Sequence, residues 1–167
     1  DVYCKTLVME SGARLYVQGN FACKSATVDE NSLVYIGGTT TCDDGMTLNK
    51  DATLNSYGDV ICKDNVVLGE GANINTHGNF TCLPNDDNKA ATINSNALIK
   101  VQGNFNCKKL SMLSNSKLYV AGNITCNSTD FSSGSDNQVI YCGGNAVIRN
   151  DFASNRIIKA KGTLQLN

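Results

Sequence analysis

Tryptophan is absent from the chain, proline occurs only at Pro84 and histidine only at His77. A single histidine, with no Ser or Cys partner at a position that would build a triad, argues against nucleophilic catalysis of the Ser-His type. Charge of one sign is lacking too. Fourteen basic and fifteen acidic residues leave a formal net charge of −1 and read as interspersed, so no basic face of the size that nucleic acid or an anionic membrane requires is expected. No apolar run approaches the ~20 residues that span a bilayer, and no signal-peptide pattern opens the chain. Glycine, asparagine, serine and threonine are plentiful instead, and 41% of the 167 residues are apolar. That mixture suits strands and tight turns in one domain, 1–167, with a core of its own.

A fixed internal period organises the chain. Glycine recurs at Gly19, Gly38, Gly58, Gly78, Gly103, Gly122, Gly144 and Gly162, at spacings of 19, 20, 20, 25, 19, 22 and 18, usually followed by Asn, Asp or Thr. Four residues before it an aliphatic residue always stands, from Leu15 and Val34 to Ile140 and Ile158; two after it come residues such as Phe21, Val60, Phe80 and Phe105. Four after it comes a cysteine column, Cys23, Cys42, Cys62, Cys82, Cys107 and Cys126, which Cys4 begins one coil earlier and Ile148 and Leu166 continue. Apolar alternation with period two predicts strands with these columns facing inward. A third inward pair follows each cysteine, as in Leu7 and Met9, Ala26 and Val28, and Leu110 and Met112, and weakens at Thr129 and Phe131 and at Asn150 and Phe152.

Three residues before the aliphatic column lie Gly12, Asn31, Asp51, Gly71, Asn96, Asn115, Asn137 and Asn155. These residue types tolerate positive φ, so each coil is expected to turn there through a left-handed conformation. Extra residues fall at corners: before Met46, before Val66, from Leu83 to Lys89, and from Ser132 to Asp136. The pattern therefore predicts an all-β fold, a single-stranded parallel β-helix of about eight coils of 18–25 residues, each with three short strands and three corners. Right-handed winding and a triangular section are expected, because left-handed hexapeptide helices keep a strict six-residue period.

Segments such as Leu15-Tyr-Val-Gln-Gly-Asn-Phe-Ala-Cys23, Leu118-Tyr-Val-Ala-Gly-Asn-Ile-Thr-Cys126 and Val67-Leu-Gly-Glu-Gly-Ala-Asn-Ile-Asn75 carry a resemblance across practically the whole chain. They resemble the repeats of filamentous-haemagglutinin-like bacterial surface proteins, and also bactofilins, whose right-handed β-helices polymerise end to end. The resemblance implies the solenoid fold and supplies no catalytic residues. It implies a stalk or adhesin segment at a bacterial cell surface, with a cytoplasmic self-polymerising filament as the alternative. The chain lacks the Pro-rich or charged tails that usually flank a bactofilin core.

Eight cysteines in a small secreted chain would normally suggest a disulfide framework. In one inward column, however, stacked Cβ atoms lie about 4.8 Å apart, slightly beyond a comfortable disulfide. Zinc wants converging ligands rather than a line of parallel thiols. The column is therefore read as buried thiols packing as small apolar residues, with strained vertical disulfides as the alternative, and neither a metal nor a cofactor is expected. Acidic residues are dispersed at corners rather than gathered in a cleft, so no enzyme activity is expected. Two outward features remain. One is the column Tyr16, Tyr35, Asn55, Asn75, Lys100, Tyr119, Tyr141 and Lys159, whose tyrosines are candidates for binding a glycan or surface partner. The other is an Asn/Thr face that includes Asn20, Thr39, Asn79, Asn104 and Asn123, of a kind that can bind ice. Because the pattern enters and leaves in mid-coil, the segment is expected to belong to a longer repetitive protein or to associate through its ends.

Overall fold

The computed structural model describes residues 1–86, 88–131, 137–149 and 157–166. Among them, strands pair in parallel throughout and form two sheets, one of eleven strands and one of eight, with no helix. The fold is a parallel β-solenoid of about eight turns, as the period predicts. Every coil contributes one four-residue strand to the eight-stranded sheet, from Arg14–Val17 to Ile157–Ala160. The rest of the coil feeds the larger sheet, which begins at Val2–Met9 and ends at Leu164–Leu166.

Three strands per coil were expected, and here the structure differs. In Val2–Met9, Phe21–Val28, Thr40–Leu48, Phe105–Met112 and Ile124–Phe131 the second and third strands are one unbroken element. The corner persists in side-chain direction alone. In Phe21–Val28, Phe21 and Cys23 point inward, Lys24 and Ser25 both stay outside, and Ala26 and Val28 point inward again. Two consecutive outward residues slip the alternation by one while the backbone ladder continues. Where the cysteine is followed by Lys63–Asn65 or by Leu83–Ala90, the ladder breaks and two short strands result, Val60–Cys62 with Val66–Leu68 and Phe80–Cys82 with Ala91–Ile93. The extra residue before Met46 appears as a register shift opposite Cys23–Ser25, with Gly45 at φ 120.

The left-handed corner is present at Gly12, Asn31, Asp51, Gly71, Asn96, Asn115 and Asn137, with φ between 56 and 73. Asn155, Asn150, Phe152 and the Ser132–Asp136 excursion lie outside the described residues. From Gly12 to Asn96 the turning residue donates its N–H to a carbonyl of the next coil, as Asn31 does to Lys50 (3.0 Å) and Asn96 to Ser114 (3.0 Å). Directly after it sits a small inward column that the pattern reading missed: Ser32, Ala52, Ala72, Ala97 and Ser116 are all buried.

The core is one continuous cluster of the predicted columns. Phe80 and Phe105 are fully buried and stacked, with ring centroids 5.0 Å apart. Polar residues in inward positions find partners: Thr40 donates to Ser56 (3.1 Å), Ser56 to the Gly38 carbonyl (3.1 Å) and Thr76 to the Gly58 carbonyl (2.6 Å). Burial without such bonds would cost each hydroxyl about 1–3 kcal/mol.

Candidate functional site

The cysteine column is in register coil by coil, Cys4 with Cys23, Cys23 with Cys42, Cys42 with Cys62, Cys62 with Cys82, Cys82 with Cys107 and Cys107 with Cys126. All are free thiols; Cys4 is partly exposed and the others are buried, as is Cys142 in its separate column. Two pairs approach closely, Cys23–Cys42 with sulfurs 3.1 Å apart and Cys107–Cys126 with sulfurs 3.2 Å apart. Thiols also turn to backbone: Cys62 donates to the Asn65 carbonyl (3.4 Å), Cys82 to that of Asp64 (3.2 Å) and Cys126, while accepting from Cys107, to that of Ser128 (2.9 Å). A position that calls for a short side chain able to pack as an apolar group and still donate to a carbonyl at its own or the adjacent coil's corner suits cysteine. Burial pushes Cys62 up to about 11 and Cys82 up to about 12, and burial also raises Cys107. In the Cys23–Cys42 pair the shared hydrogen bond holds Cys23 down and pushes Cys42 up, so one thiol ionises well before the other. Among the described residues no group of three or more His, Cys, Asp or Glu side chains is placed to hold a metal ion.

An Asn or Asp that follows a repeat glycine has a structural task. Its side-chain oxygen accepts the backbone N–H of the equivalent residue one coil on: Asn20 from Thr39 (2.8 Å), Asp59 from Asn79 (2.7 Å), Asn79 from Asn104 (2.9 Å), Asn104 from Asn123 (2.9 Å), Asn123 from Asn145 (2.8 Å) and Asn145 from Thr163 (2.8 Å). This ladder also explains the glycines. A Cβ on Gly38 would lie 2.3 Å from the Asn20 Oδ1, and one on Gly103 would lie 2.6 Å from the Asn79 Oδ1. Asn20, Asn79, Asn104 and Asn123 of the Asn/Thr face are therefore engaged in holding coils together.

The tyrosine column is assembled as expected. Register pairs Tyr16 with Tyr35 and Tyr119 with Tyr141, with Lys100 before Tyr119 and Lys159 after Tyr141. Tyr16 and Tyr35 stack face to face, centroids 5.3 Å apart. The pattern reading missed that the aromatic row continues in the neighbouring outward column, where Tyr57 and His77 stack at 4.7 Å beside Asn55 and Asn75. His77 is exposed and stacks on Tyr57. Two shallow grooves run along this face. One of about 250 Å³ is lined by Lys100, Gln102, Tyr119, Ala121 and Tyr141, and one of about 240 Å³ by Asn55, Asn75, His77, Lys100 and Gln102. They meet at Lys100 and Gln102.

No family model, curated protein or solved structure matches the chain.

Charge is less evenly spread along the chain than the net value of −1 suggests. Residues 1–87 carry 12 acidic and 5 basic side chains, and residues 88–167 carry 3 and 9. The four described ion pairs, Lys24–Asp44 (3.0 Å), Lys63–Asp43 (2.8 Å), Lys89–Asp64 and Lys109–Asp130 (3.4 Å), all lie along the larger sheet and its corners. The outward columns of the eight-stranded sheet and its following turn, starting at Arg14, Tyr16 and Gln18, hold Arg14, Lys100, Lys117, Lys159 and Lys161 and no carboxylate among the described residues.

Proposed function

We propose that this chain is a non-enzymatic structural and presentation element of a bacterial surface protein, a stiff stalk that carries outward faces at fixed spacing. One observation carries this reading. The inward columns keep register from Val2 to Leu166 among the described residues, and the described insertions, before Met46, before Val66 and between Cys82 and Ala91, fall at corners. A stack with continuous inner columns and short corner loops suits a spacer. At ~4.8 Å per coil, eight coils make a rod about 40 Å long.

Two measurements on the 167-residue chain test the proposal. Small-angle scattering should give an elongated particle of about that length per copy, and incubation with neutral and acidic polysaccharides should yield no cleavage products. Sustained turnover of any polysaccharide would overturn it.

The charge polarity along the rod favours a second reading, end-to-end self-association. The acidic first half and basic second half favour head-to-tail over head-to-head contact. Light scattering across a concentration series, repeated with Leu7→Lys and Leu164→Lys, separates the readings: a monomer throughout contradicts the filament and leaves the stalk.

A further inference from the structure

The second half of the eight-stranded sheet's outer face combines features that the stalk reading does not use. Lys100, Tyr119, Tyr141 and Lys159 stand in register on four successive strands, two ammonium groups bracketing two phenols. Three coil spacings put the bracketing lysines about 14 Å apart along the rod. Lys117 and Lys161 flank the row, and all four lysines are exposed. None of the four is in an ion pair among the described residues. Beside the tyrosines the next outward column shrinks to Ala121 and Gly143, so the phenols rise as one wall of the 250 Å³ groove.

From this juxtaposition we propose that the Lys100–Tyr119–Tyr141–Lys159 row binds an acidic polysaccharide lying along the rod axis. The lysines meet carboxylate or sulfate groups. The tyrosine hydroxyls and the Gln102 amide hydrogen-bond the sugar hydroxyls between them. Charge complementarity selects the ligand: this half of the chain has nine basic and three acidic residues, and the face itself carries no described carboxylate to repel a polyanion.

A single-stranded nucleic acid is also a polyanion, and beyond the charge term its binding draws on bases stacking against open ring faces. Tyr119 and Tyr141 are half-buried and sit on adjacent strands ~4.8 Å apart, too close for a base to enter between them. Hydroxyl edges are what remain on offer, and those suit sugars.

Binding of polygalacturonate, dextran and an oligothymidylate to the 167-residue chain, measured by titration calorimetry at low and physiological salt, tests the proposal. Polygalacturonate should bind, more weakly as salt rises, and dextran should not. The double variant Lys100→Gln/Lys159→Gln should weaken polygalacturonate roughly tenfold or more. The control Lys24→Gln/Lys63→Gln, which removes two exposed lysines of the other sheet, should change it little. Tyr119→Phe should weaken binding without altering the circular dichroism. Equal loss in both double variants would reduce the effect to unspecific charge, tighter binding of the oligothymidylate would assign the face to nucleic acid, and no binding of polygalacturonate would end the proposal. Because these readouts concern binding, they stand or fall separately from the absence of turnover that tests the stalk.

Discussion

Replacing Phe105 by Ala removes a side chain that is 1% exposed, register-paired with Phe80 on one side and Ile124 on the other, and stacked on the Phe80 ring at an interplanar angle of 8°. A buried Phe→Ala change costs about 3–5 kcal/mol, the transfer of the ring plus the cavity it leaves. Some 0.5–1.5 kcal/mol of that belongs to ring–ring contact. Phe80→Ala loses the same contact, so the double variant should fall short of the summed single losses by about 1 kcal/mol. Tyr119→Ala, on the outward column, should cost about 1 kcal/mol or less. Urea titrations followed by circular dichroism would measure all four, with an unchanged slope showing that the same surface is exposed on unfolding. Should the double variant fail to fold, Phe80→Leu, at about 1 kcal/mol, keeps the comparison open. Equal losses for Phe105→Ala and Tyr119→Ala would mean that inward and outward columns are exchanged, and strict additivity at Phe80 and Phe105 would mean that the rings do not touch.

Alkaline pH should destabilise the chain. Cys62 and Cys82, held up at about 11 and about 12, stay protonated in the folded state while unfolded thiols ionise near ~8.5. The unfolded state then binds fewer protons, so stability that is complete below the unfolded value is lost as pH rises toward the folded one, by about 1.4 kcal/mol per thiol for each pH unit above ~9. Urea midpoints at pH 7, 8.5 and 10 would show the decline, and Cys62→Val/Cys82→Val should flatten it; an unchanged slope in that variant contradicts the assignment. At the left-handed corner, Asn115 with φ 58 should lose about 1 kcal/mol on change to Ala and almost nothing on change to Gly, and equal losses would show that the side chain rather than the backbone matters there.

The coil pattern was legible because a β-solenoid repeats its constraints in sequence. Period two marks the inward columns from Leu15 to Leu166, and Asn, Asp or Gly marks each left-handed corner. What escaped was whatever couples coils through backbone. The Asn20–Asn145 ladder satisfies N–H groups about 20 residues away, and nothing in local sequence says that the Asn side chain occupies the space a Cβ at the next glycine would fill. The third strand boundary escaped for a related reason: Lys24 and Ser25 turn the side chains while the ladder runs on, and hydropathy reports only side chains. On the outward face Tyr16, Tyr35, Tyr119 and Tyr141 were readable as one column. Tyr57 and His77 were not, because the aromatic row moves to the adjacent column where Asn55 and Asn75 form their own hydrogen bond at 3.0 Å. The unpaired lysines emerged only once register had sorted charges by face.

Counting reactive thiols tests the stacked, inward cysteine column most directly. Without reductant, native protein at neutral pH should react with a thiol reagent at about one position, the partly exposed Cys4, and protein in denaturant should react at all eight cysteines. Several fast-reacting thiols in the native state would contradict the inward register, and fewer than eight in denaturant would show that pairs such as Cys23–Cys42 are disulfides rather than packed thiols.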